Sequence, residues 1–283
     1  MAIAILDRWR FYFDVNRAEG LGSSYERVVL NRRLNDLRQQ YDVHTVLEAP
    51  AFGFTGLSGI NSMDLARKGA AVTLLDHDPE RVDRIRGVWA EVNLPLTAQA
   101  VKGYDTLPFD AQSFDMSWDF AAIWYVQDLD LFLSELARVT SKVILIGVPN
   151  RTGLGYFLER GVSGADLGAK VHEDYILPSR ITASMRRCGW KLVQHAYMDV
   201  PPWPDIGMKK EDFLRIVGLG KLAKRHETES TAHPLTIMDY YGGRDPTFEQ
   251  KMLQHYWLER IAPRFIKFFW AHHRLLRFER DES

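Results

Sequence analysis

Apolar and polar positions change rhythm along the chain. From residue 45 onward, short β-rich apolar runs alternate with stretches of helical spacing. The runs VHTVLEA (43–49), AVTLLD (71–76), LTAQAV (96–101), SFDMSW (113–118) and KVILIGV (142–148) predict strands. Segments 61–68, 79–89 and 129–139 predict helices between them, and this alternation predicts a parallel sheet covered by helices. Asp78 and Pro79 give the second helix a start signal, an oxygen for orphan N–H groups followed by a residue that needs none. Upstream, Leu30, Leu34, Leu37 and Tyr41 recur at helical spacing, and Ser23 with Glu26 has the pattern of a capping box. Downstream, 177–190 predicts a helix ended by Gly189, followed by a strand over 191–199.

The alternation breaks after residue 199. Segment 200–262 begins with the rigid VPPWPD and contains the turn signal GGRDP. PTFEQKMLQHYWLERIAPRFIKFFW is a long amphipathic pattern interrupted by Pro263, and RLLRFER (274–280) predicts a final strand. The chain divides on this basis into an N-terminal helical cap (1–42), a core (43–199), a mostly helical insertion (200–262) and a closing segment (263–283).

Composition narrows the function classes. An apolar share of 46% supplies a packed core. A net charge of −1 with interleaved signs argues against a dedicated nucleic-acid partner, and one cysteine excludes an internal disulfide or a Cys-cluster metal site. MAIAILDRWR is too short in apolar run for a secretory leader, and no run approaches bilayer-spanning length, so a cytoplasmic location is expected.

The candidate chemistry lies between residues 46 and 78. Gly53, Gly56 and Gly59 are spaced by three, with no G-x-G-x-x-G, and Pro50 has no N–H to offer an anion. The loop therefore disfavours NAD and a nicotinamide-dependent oxidoreductase. A phosphate-free cofactor such as S-adenosylmethionine needs one acid for its cationic end and another for its ribose hydroxyls. Glu48 and Asp76 stand at strand ends suited to those roles. Plainer readings stay open: Glu48 can cap the next helix, Asp76 can serve the turn before Pro79, and the glycines can supply positive φ.

VLEAP…GLSGINSMDLARKGAAVTLLDHDPERV followed by GYDTLPFDAQSFDMSWDFAAIWYVQDLDLFLSELARV resembles the class I S-adenosylmethionine-dependent methyltransferases, in particular the small-molecule group called type 11. The resemblance is close over 43–148 and looser to 199. It implies a Rossmann-like, seven-stranded, mostly parallel α/β sheet with helices on both faces and a helical insertion before the last strand. It implies Glu48, Gly53, Gly56 and Gly59 at the cofactor's amino-acid end and Asp76 on the ribose. His77 would stack beside adenine, Tyr104 and Asp105 would frame its edge, and Asp119 and Phe120 would meet the methionine part. The loop after Glu48 is about five residues longer than the family norm, and Gly103 stands where an acid is common.

Methyl transfer from a sulfonium is an in-line displacement that needs geometry and dryness more than a fixed catalytic signature. Tyr125 and His172, with Glu173 and Asp174, follow the fourth and fifth strands and are the catalytic candidates. No metal is expected at VHEDY, which lacks a second His at ligand spacing. Trp9, Tyr12, Trp203, Tyr240, Tyr241, Tyr256 and Trp257 either line a pocket for a small organic or lipid-like acceptor or pack the insertion against the core. FIKFFWAHHRLL is either a site of transient membrane contact or a buried junction.

Overall fold

A computed structural model of the chain describes residues 9–14, 21–53, 56–153, 156, 171–200, 237–254 and 256–281. Expectations that fall on 1–8, 54–55 and 201–236, Trp203 among them, lie outside the described residues. The elements run α1 (Trp9–Asp14), α2 (Leu21–Gln40), β1 (Thr45–Glu48), α3 (Met63–Arg67), β2 (Ala71–Asp76), α4 (Pro79–Glu91), β3 (Thr97–Ala100) and β4 (Phe114–Phe120). They continue through α5 (Leu129–Val139), β5 (Thr140–Pro149), α6 (Pro178–Arg187), β6 (Trp190–Met198), α7 (Ile237–Tyr241), α8 (Phe248–Leu253), α9 (Tyr256–Ile261), α10 (Arg264–Trp270) and β7 (His273–Arg280).

The strands form one sheet in the order β3-β2-β1-β4-β5-β7-β6. The first five are parallel, and β7 enters antiparallel between β5 and β6. This is the seven-stranded, mostly parallel α/β sheet expected. Alternate residues of each strand feed opposite faces, as a period of two requires. Val46, Leu74 and Leu145 join α2, α3, α4 and α8 on one side; Leu47, Leu75 and Ile146 join α5 and α6 on the other. Burial on both faces explains why β5 reads as an unbroken apolar run.

Local signals account for most boundaries. The Asp78 carboxylate accepts from the Glu80 and Arg81 N–H groups, and Asp128 caps α5 through Leu131. Gly189 has φ +77 just beyond α6, a conformation that favours glycine. The Ser23–Glu26 pattern was misleading: both residues lie inside α2, and Glu26 turns inward to pair with His273 Nδ1 at 2.5 Å. A tertiary partner took the carboxylate that a capping box would have used. β4 also extends two residues past the predicted end, because Asp119 and Phe120 continue the ladder with Ile146 and Gly147.

Order 3-2-1-4-5 places the topological switch between β1 and β4, and ligands of open α/β sheets bind in the crevice beyond the carboxyl ends there. Glu48, Asp76 and Asp119 all reach that edge.

Candidate functional site

Glu48 ends β1 with 1% of its surface exposed. Ser62, the residue that starts α3, donates its hydroxyl to Oε2 at 2.6 Å, and Asn61 Nδ2 donates to Oε1 at 3.3 Å. Asn61 is held in turn by the Arg27 guanidinium, which also donates to the Leu57 carbonyl at 2.7 Å. Trp118 Nε1 donates to Ser62 Oγ at 3.1 Å. These partners are neutral where they touch the carboxylate, and burial pushes Glu48 up to about 7. Of the two sequence readings of Glu48, its contact with the start of α3 is present.

Asp119, in the adjacent strand, is fully buried, and neither carboxylate oxygen makes a regular hydrogen bond. Burial holds it well above the usual carboxylate range, opposed by the backbone N–H groups of Ile123 and Ala122 and reinforced by Glu48. Two buried acids thus share the ends of neighbouring strands with no salt bridge to either among the described residues. Removing unpaired charge from water is costly, so the pair favours either protons or a cation brought from outside.

Asp76 has the opposite surroundings. Arg81 grips it with two bonds, Nε to Oδ2 at 2.6 Å and Nη2 to Oδ1 at 2.5 Å, and the Asp78 N–H adds a third at 2.9 Å. The guanidinium lies between the rings of Phe52 and Trp9, 4.8 Å and 5.4 Å from their centroids. Arg81 was not singled out from the sequence, although a signal was present. A cation in the first turn of a helix opposes the macrodipole, and it sits there because an acid waits nearby.

The loop after β1 lies close against the sheet. Ala49–Pro50 is a cis peptide, and Ala51 N–H donates to the Leu75 carbonyl at 2.9 Å. Phe52 is 1% exposed, its ring set edge-on to His77 at 4.9 Å and to Tyr125 at 5.7 Å. It therefore spans the gap between the ends of β2 and β4. Gly53 rests on the end of β4, where a Cβ would overlap the Phe120 carbonyl oxygen. Gly56 and Gly59 both have positive φ. A Cβ on Gly59 would also meet Ile85 of α4, and its carbonyl accepts from Trp89 Nε1 at 2.7 Å, so its need for glycine is a packing need.

Of three residues expected near one another, two come together and the third lines a groove beside them in sequence. His77 Nδ1 lies 3.4 Å from the buried Tyr104 hydroxyl, and Asp105 lines a groove of about 510 Å³ with Gln99, Lys102 and Gly103. Phe120 turns its ring toward His273, with centroids 4.6 Å apart. Tyr125 forms part of a short 3-10 turn at Ile123–Tyr125 and stays half-buried. His172 is exposed and stacks on Tyr175, its N–H donating to the Trp124 carbonyl at 2.9 Å. Glu173 and Asp174 pair with Arg151 and Arg180.

The aromatic candidates divide. Tyr240 and Tyr241 are core residues, bonded to Asp64 and Asn31, and Trp9 packs on Phe13 and Arg81. Tyr12 and Tyr256 are partly buried against the same core, and Trp257 is exposed. The rings of 237–241 thus fill space between α2 and α3.

Comparison with known proteins bears on the domain and its fold. The family model described as "Methyltransferase domain" matches residues 54–143. Residues 54–143 thus match a methyltransferase domain. A ubiquinone biosynthesis O-methyltransferase of Xylella fastidiosa is 27% identical over 156 residues, covering 51% of this chain and 62% of that protein. Its counterpart in Xanthomonas oryzae pv. oryzae is 27% identical over 156 residues, with 51% and 64% covered. The chain thus spans less than two thirds of the length of these relatives. Magnesium protoporphyrin IX methyltransferase from Synechocystis, solved with bound S-adenosylhomocysteine, superposes with a TM-score of 0.55 at 13% identity, covering 97% and 93% of the two chains. The cyclase SpnF superposes at 0.51 with 12% identity, covering 89% and 81%. At such identities the likeness is one of fold.

The residues at the carboxyl edge of the sheet fit S-adenosylmethionine, the cofactor that the methyltransferase match implies. Two buried carboxylates, of which Asp119 has no regular hydrogen-bond partner among the described residues, match a cation such as an ammonium or a sulfonium better than an anion. Asp76 is already paired with Arg81.

Proposed function

We propose that the chain is an S-adenosylmethionine-dependent methyltransferase acting on a small organic or lipid-like acceptor. The observation that carries this reading is the pair of buried carboxylates, Glu48 and Asp119, at the switch point of the sheet, with no salt bridge to either among the described residues. Glu48, with Gly53 and Gly56 passing close by, would hold the amino-acid end, and Asp119 and Phe120 would flank the methionine part. Gly59 would shape the loop from behind. Asp76 would take the ribose through the lone-pair positions that Arg81 leaves, with His77, Tyr104 and Asp105 around the adenine. When bound, the cofactor supplies an electrophilic methyl group on a sulfonium centre.

The chain's own residues then position and desolvate. Phe52 and Tyr125 close the crevice against water, which strengthens every charge interaction inside it. Tyr125 stands after β4 at the acceptor side, and His172 at its exposed rim offers a base where the acceptor must lose a proton. The insertion over 200–262 would cover the acceptor. The ubiquinone-biosynthesis relatives support an oxygen nucleophile on an apolar molecule.

Calorimetry with S-adenosylhomocysteine tests the reading. Binding is expected, and Glu48→Gln should weaken it by about ten- to a hundredfold, the worth of a charge-assisted hydrogen bond of roughly 1.5–3 kcal/mol. Unchanged affinity in that variant would remove Glu48 from the site. The grip of Arg81 on Asp76 favours one second reading, a non-catalytic binding module on the same fold. Absence of any S-adenosylhomocysteine binding would select it.

A further inference from the structure

We propose that the face formed by α9 and α10 docks on an anionic lipid surface and delivers a membrane-dissolved acceptor to the carboxyl edge. The choice of acceptor rests on the methyltransferase reading; the docking does not. Among the described residues, eleven large apolar side chains are exposed, and seven of them fall between 257 and 270. Phe265 (67%), Ile261 (66%), Phe269 (60%) and Trp257 (54%) are the most open, and α10 has no buried residue. A helix apolar around most of its circumference is normally enclosed, so its exposure calls for a partner.

Charge identifies the partner. Arg260 and Arg264 are exposed and Lys267 is half-buried on the same segment. The sole acid between 256 and 270, Glu259, is turned inward at 2% exposure, where the Tyr25 hydroxyl donates to it at 3.0 Å. The face therefore offers aromatic rings and cations with no exposed anion, the composition of interfacial helices that bind acidic headgroups. A second copy meeting this face across a two-fold axis would set the same cations against each other.

Position gives the docking a use. Asn150, directly after β5, donates to the Phe268 and Ala271 carbonyls at 2.9 Å and 2.8 Å, and the Thr152 hydroxyl donates to Phe268 O at 2.9 Å. Arg274 lies against the Phe268 ring. The face is thus fastened at the edge of the sheet where ligands bind.

The test is sedimentation of the full chain with phosphatidylcholine vesicles, with and without phosphatidylglycerol. Binding is expected to the anionic vesicles and to fall with added salt. The variant Phe265→Ser/Phe269→Ser should lower the bound fraction by about tenfold or more, while keeping the wild-type thermal transition and S-adenosylhomocysteine affinity. No binding to anionic vesicles overturns the proposal, as does undiminished binding by that variant. A dimer seen by light scattering, lost in the variant and indifferent to vesicles, also overturns it. Calorimetry on the same samples reports the cofactor reading separately.

Discussion

Glu48 and Asp76 end neighbouring parallel strands, are equally buried, and differ in almost everything else. Glu48 is held by a hydroxyl and an amide, with Arg27 bonded to that amide, and burial lifts it to about 7. Asp76 sits in a two-pronged guanidinium grip closed over by Trp9 and Phe52. One acid is left needing a cation, whereas the other carries its cation with it. Position at the carboxyl edge therefore does not by itself decide whether a carboxylate can take a cation. What matters is whether the fold has already neutralised it.

The largest effect expected from this contrast is on stability. Arg81→Met should strand the Asp76 charge and lower unfolding free energy by about 3–5 kcal/mol in urea melts, with Asp76→Asn in the same chain restoring part of the loss. A loss under ~1 kcal/mol would erase the distinction between the two acids. Asp76→Ala, which the sequence alone presents as a pure binding change, should likewise cost the fold, because it leaves Arg81 buried and unpaired.

Next comes pH. The folded pKa of Glu48 lies above its ordinary 4.5, at about 7, so between these values the folded state holds a proton that the unfolded chain has released. Stability should therefore fall as pH rises from 4.5 to 7, by up to about 3 kcal/mol, and Glu48→Gln should flatten that slope. Affinity for S-adenosylhomocysteine should run the other way and weaken below pH 7, since its ammonium favours the ionised acid. A melt series that is flat in the wild type would contradict the burial argument. Smaller again is Gly53→Ala, expected to cost about 1–3 kcal/mol as the new methyl meets the Phe120 carbonyl, measured by thermal unfolding.

The architecture was legible because strand alternation, the Asp78 cap and Gly189 are local signals that tertiary packing did not override. All seven strands lie within a few residues of their expected places. The site was legible only as far as residue type at strand ends. Nothing in LDHDPER distinguishes a free Asp76 from one gripped by Arg81, because the grip depends on the first turn of α4 bringing position 81 back over position 76. Glu26 teaches the same lesson, its partner His273 lying 247 residues away. The final aromatic run was read as either a membrane contact or a buried junction, and periodicity cannot separate a helix packed on all sides from one left bare. The run divides: Phe265, Ile266, Phe268, Phe269 and Trp270 are exposed, whereas Ala271, His273, Leu275 and Leu276 are buried at the junction with β7.

The antiparallel β7 has a consequence for how the chain is made. It supplies the ladder on which β6 hangs and the outer partner of β5, yet it is the last strand to be synthesised. During translation the five parallel strands can assemble while β6 has no neighbour to join. The sheet closes only when residues 273–280 clear the ribosome, so a nascent chain halted before residue 273 would expose an unsatisfied edge of β5 to every other strand in the cell.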